Sequence, residues 1–102
     1  MATPVETLLE YLPQPWRVIV QPESTMGASW GCCWFPTREI WLAPRDLAQM
    51  QRTLCHEVSH ALLPAGEGHS PRWLAVCGAL WDRVFPDRQG FDHHMTCHLG
   101  RP

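Results

Sequence analysis

Residues 53–73 read TLCHEVSHALLPAGEGHSPRW, from Thr53 to Trp73, and this stretch decides the reading of the chain. Its first half belongs to a helical pattern that starts at about Pro44 or Arg45. Leu47, Met50, Leu54, Val58, Ala61 and Leu62 recur mostly at three- and four-residue intervals, the signature of one buried helical face. Pro64 and Gly66 stop that helix. Ala65 to His69 form a short loop, and Ser70-Pro71 supply an N-cap and a first-turn proline for the next helix. Trp73, Leu74, Cys77, Leu80, Trp81 and Val84 form its apolar face, and Pro86 ends it.

Inside the first helix lies His56-Glu57-Val58-Ser59-His60, an H-E-x-x-H sequence. Positions i and i+4 share a helical face one turn apart, so two imidazoles can converge on one metal ion at about 2.0–2.1 Å. Glu57 is adjacent to the first imidazole and is placed to act as a general base. Zinc lowers the pKa of its water toward ~7, which makes a nucleophile available at neutral pH. Chance alone would give roughly 0.02 such matches in a chain of this composition, and the helical context is the one the motif requires. A catalytic zinc keeps three protein ligands and one open position. His69, just before the Ser70 cap, is the leading third ligand, with Glu67 as the alternative.

Outward from this centre, Thr3, Pro4 and Glu6 form a capping-box start for a helix over residues 3–12. Val5, Leu8, Leu9 and Leu12 fall on one of its faces. Trp16–Gln21 reads as a strand, Ala28–Phe35 as a second, and Glu39–Ala43 as a third returning from a turn at Pro36-Thr37-Arg38. Gly27 and Gly31 interrupt the middle strand or mark a bulge. The sum is an α+β architecture with an N-terminal helix, a short and mostly antiparallel sheet, an active-site helix and a packing helix. The 102 residues make one small domain, with its core over about 16–86 and a His- and Cys-containing tail over 87–102 expected to be irregular.

From His56-Glu57-x-x-His60 through His69-Ser70-Pro71-Arg72-Trp73, the chain resembles the SprT-like and YgjP/WLM-like zincin metallopeptidases over roughly residues 28–85. In those families an HExxH helix and a loop of variable length precede a His-(Ser/Gly)-x-x-(Phe/Trp) helix start. The resemblance implies a zincin-like domain, zinc on His56, His60 and His69, Glu57 as general base, and hydrolysis of a peptide or protein substrate. It also implies that the strand Glu39-Ile40-Trp41-Leu42 is the sheet edge on which a substrate backbone pairs. The 61–68 spacing is longer than the YgjP-like pattern and shorter than typical SprT domains. The alternative is a non-catalytic zinc-stabilised binding or inhibitor module.

The remaining features bound the function. The net charge of −2 gives no basic field for nucleic acid or anionic lipid, and no apolar run is long enough to cross a membrane. The odd count of five cysteines, without CxxC spacing, points to reduced thiols in a cytoplasm rather than a disulfide framework. Cys55 and Cys77 read as buried helix positions, and Trp73 and Trp81 as core. Trp30, Trp34 and Trp41 lie along the hairpin, as a packed face or as the wall of an apolar pocket. Arg38 and Arg72 are possible donors to an oxyanion. His93, His94, Cys97 and His98 read first as a solvated tail, with a second metal site or a cover over the cleft as alternatives.

Overall fold

The computed structural model describes residues 3–86, 90–92, 94 and 95. Helix α1 spans Pro4–Tyr11 and begins with the expected reciprocal cap. Thr3 Oγ1 accepts from the Glu6 amide, and the Glu6 carboxylate accepts from the Thr3 amide. The helix buries Leu8 against the core. Strand β1 (Arg17–Val20) is followed by a one-turn helix, α2 (Glu23–Met26), then β2 (Gly31–Trp34), β3 (Glu39–Leu42), α3 (Leu47–Ala61) and α4 (Pro71–Val84). Asp46 caps α3 by accepting from the Gln49 amide at 3.0 Å. Ser70 caps α4 by accepting from the Trp73 amide at 3.1 Å, with Pro71 in the first turn.

The fold is α+β, and its sheet is mixed. The strand order is β1-β3-β2. β1 lies parallel to β3, with Arg17 opposite Glu39, and β2 lies antiparallel to β3, with Gly31 opposite Leu42. The expected mostly antiparallel sheet is therefore half right, since one of the two pairings is parallel. β3 is the central strand, so it is not the edge expected to receive a substrate. The edges are β1 and β2, and among the described residues neither has a strand on its outer side.

α3 is the axis of the molecule. It packs against α1 and α4 and against β2 and β3. Every residue from Thr53 to Ser59 is buried. The core joins Leu8, Ile40, Leu54, Val58, Trp73, Trp81 and their neighbours, and it extends past residue 86 to Phe91 and Met95. Residues 90–92, 94 and 95 are helical, and Phe91, His94 and Met95 are buried. This corrects the reading of 87–102 as an irregular solvated tail wherever the chain is described. Phe91 and Met95 sit four apart and turn the same helical face to the core, with Phe91 edge-on to Trp81 at 5.4 Å. His93, Cys97 and His98 lie outside the described residues.

Candidate metal centre

A helix with Thr, His, Glu and Ser buried in succession carries polar groups into the core at a cost that must be met by partners. Ser59 meets it locally, its hydroxyl donating to the Cys55 carbonyl at 2.7 Å. His56 and His60 meet it through each other's surroundings. His56 Nε2 lies 3.0 Å from His69 Nε2. Nitrogens of His56, His60 and His69 all lie within 4.8 Å of one another. Two imidazoles on one tetrahedral zinc at about 2.05 Å would stand about 3.3 Å apart, close to the 3.0 Å between His56 and His69. The three residues lie close enough to bind a metal ion, with His56 buried, His60 half-buried and His69 exposed.

Each histidine arrives by a legible route. His56 and His60 are one turn apart on α3. His69 arrives through a loop in which Gly66 and Gly68 take φ of 90° and 61°, values that suit glycine. The Glu67 carboxylate accepts from the Ser70 hydroxyl at 2.7 Å, which ties it to the α4 cap. Glu67 is absent from the metal-capable group, so His69 and not Glu67 completes the set. Beneath all three lies Trp73, with no exposed surface. Its indole is stacked on His60 at 4.9 Å and 21°, and tilted or edge-on to His56 at 4.6 Å and His69 at 4.7 Å. Trp73 was expected as core, and its second role as the platform for the imidazoles follows from its position three residues into α4.

Burial pushes the His60 imidazole down to about 4, with His69 adding to the effect. Burial lowers His69 as well. Both are therefore neutral at pH 7, the form that offers a lone pair to a metal. Glu57 is 6% exposed, and burial, then the nearby Cys77, raises its carboxyl to about 8. Among the described residues no cysteine belongs to the metal-capable group. Burial pushes Cys33 up to about 12 and raises Cys32. Cys55 is raised first by its hydrogen bond to Cys77. In the metal-free chain these thiols stay protonated at neutral pH.

The imidazoles and Glu57 open onto a cleft of about 550 Å³. One wall is the chain entering β2 and β2 itself: Ala28, Ser29, Trp30, Gly31 and Cys33, with Phe35 beyond. The other is His56, Glu57 and His60 of α3 with Gly66, Gly68 and His69 of the loop. Gly31 lies directly against Glu57: a Cβ there would stand 3.3 Å from Glu57 Oε2. Trp30 lines this space, whereas Trp34 packs on Trp41 at 5.1 Å and Trp16 on Phe35 at 5.2 Å. Arg38 and Arg72, considered as oxyanion donors, do not line the cleft, and neither does any residue of β3.

One participant escaped the sequence reading. His94 Nε2 lies 3.2 Å from His56 Nδ1, and His94 is not among the residues that line the cleft. The signal that could have found it is the Phe91, His94, Met95 spacing, which places the three on one helical face. No family model, curated protein or solved structure matches the chain. No helix among the described residues is long and apolar enough to cross a membrane.

Proposed function

We propose that this protein is a zinc-dependent metallopeptidase with a zincin-like fold, resembling the SprT-like group, and that it hydrolyses peptide bonds in a peptide or protein substrate. The observation that carries the reading is the convergence of His56, His60 and His69 beside Glu57 at the wall of one cleft. The donor set fits zinc: three imidazole nitrogens, and no carboxylate or thiol joins the group among the described residues. Held there, zinc supplies Lewis acidity to water and to a scissile carbonyl. His56, His60 and His69 leave a side facing the cleft, where a substrate has access.

Glu57 is the general base. It accepts a proton from the attacking water and delivers it to the departing amine. Without a metal, burial and then the nearby Cys77 hold its proton on at neutral pH, and a divalent cation beside it favours the carboxylate. β2 offers an extended substrate an unpaired strand edge next to Glu57, so main-chain hydrogen bonds would orient the scissile bond. The free cysteines suit a reducing compartment such as the cytoplasm.

The test is cleavage of a mixed peptide library by zinc-loaded protein, read by mass spectrometry, against Glu57→Gln. A peptidase cleaves, and the variant keeps zinc while losing turnover by a hundredfold or more, within the range of about 10²–10⁴ for a general base. Cleavage that persists in Glu57→Gln overturns the assignment of the base. No cleavage by the zinc-loaded wild type across the library favours the non-catalytic module instead.

A further inference from the structure

His94 sits where nothing in the peptidase reading requires a histidine. It is 5% exposed, in the helical segment that follows α4. It shares a face with Phe91 and Met95, both in the core. Its ring lies 5.5 Å from Trp81 and edge-on to His56 at 5.4 Å and 65°. The contact that matters is His56 Nδ1 to His94 Nε2 at 3.2 Å.

A neutral imidazole has one N–H and one lone pair. His56 turns Nε2 toward His69 at 3.0 Å, so a metal in the cluster takes that lone pair. The His56 proton must then be on Nδ1. Its neighbour there is His94 Nε2, which can satisfy it only as an acceptor and so carries its own proton on Nδ1. Histidine ligands commonly donate their second N–H to a carboxylate, a carbonyl or water, which fixes the tautomer and ring orientation. Here another imidazole stands in that place, supplied by a segment far along the chain from α3.

We propose that His94 is a positioning residue for the metal site: it accepts a hydrogen bond from His56 Nδ1–H and thereby holds His56 in the tautomer and orientation that bind metal. The docking of the 90–95 segment is then linked to metal affinity. This rests on the metal reading above.

The test uses the full chain, zinc as the probe and a chromophoric chelator as competitor. His94→Phe keeps a ring and removes the acceptor; His94→Gln restores an acceptor without the ring. The expected result is a zinc affinity 10–100-fold weaker in His94→Phe, with much of the loss regained in His94→Gln. Equal affinity in wild type and His94→Phe overturns the proposal, as does an equal loss in both variants, which would make the ring's packing the whole effect. Long-range ¹H–¹⁵N spectra of the zinc-loaded wild type give a check that needs no variant. They should show His56 protonated on Nδ1 and His94 on Nδ1, and a His94 protonated on Nε2 refutes the assignment. A wild type that takes up no zinc refutes the metal reading itself, and this outcome is distinct from uptake that His94 does not affect.

Discussion

Gly31→Ala is the smallest change that presses β2 against α3. The new Cβ would lie 2.7 Å from Thr53 Cγ2, 3.2 Å from the Trp41 carbonyl oxygen and 3.3 Å from Glu57 Oε2. Carbon atoms in contact prefer about 3.5–4.0 Å, so the Thr53 contact is about 1 Å too close. Thr53 is 3% exposed and β-branched, with two helical rotamers available. Rotation relieves part of the clash, and withdrawal of β2 must relieve the rest. Overpacking of this kind costs typically 1–3 kcal/mol, and about 2 kcal/mol is expected here. Thr53→Ser deletes the offending methyl, so the double variant should cost less than the two single changes together, with a coupling of at least about 0.5 kcal/mol. Urea unfolding of the metal-free forms measures all three. Peptide cleavage should fall in Gly31→Ala, because the Cβ also crowds Glu57, and Thr53→Ser should not fully restore it. Additive stabilities would refute the conclusion that the Thr53 methyl is what a Cβ at position 31 meets.

Three further outcomes are expected. Trp73→Ala should cost about 3–5 kcal/mol and weaken zinc binding, since all three imidazoles pack on the indole. Trp73→Phe should cost less, because it also removes an indole N–H that has no hydrogen-bond partner among the described residues; calorimetry and a zinc titration check both. Ser70→Ala should cost about 1 kcal/mol through loss of the α4 cap, and should weaken zinc binding by freeing the Glu67–His69 loop. In metal-free protein, Glu57 keeps its proton up to about 8 when folded, against an ordinary 4.5. The folded state thus binds more protons in this window, and stability falls as pH rises through it. His60, with an ordinary value of 6.5 and held at about 4, and His69, also lowered, act oppositely: the stability they contribute is present above about 6.5 and lost as pH falls. Between pH 6.5 and 8 only the Glu57 effect remains among these groups, so the melting temperature should drop there, and Glu57→Gln should abolish the drop.

The features that could be read from sequence are those written locally. The Thr3–Glu6 box, the Ser70-Pro71 start and the periodicity of 47–62 each depend on residues within one or two turns; both caps appear as expected and Leu54, Val58 and Ala61 form the buried face of α3, but Leu47 and Leu62, at the two ends of the pattern, are exposed. His56, His60 and His69 come together because two share a helical face and the third follows a short glycine-containing loop. Pairing of β1 with β3 is different. It is long-range, and four-residue strands carry too little alternation to declare a partner; only the Arg17–Glu39 ion pair at the register position marks it. The one-turn α2 is too short to show a period. Residues 90–92, 94 and 95 read as irregular from sequence because polar neighbours outweigh Phe91 and Met95, although the spacing of those two describes a helical face.

X-ray absorption at the zinc edge of the purified, zinc-reconstituted chain tests the central claim most directly. One zinc per chain with three imidazole nitrogens at about 2.0–2.1 Å and one further light-atom ligand is expected, with uptake lost in His60→Ala and His69→Ala. A sulfur ligand in the spectrum, or full uptake without His60 and His69, would contradict it.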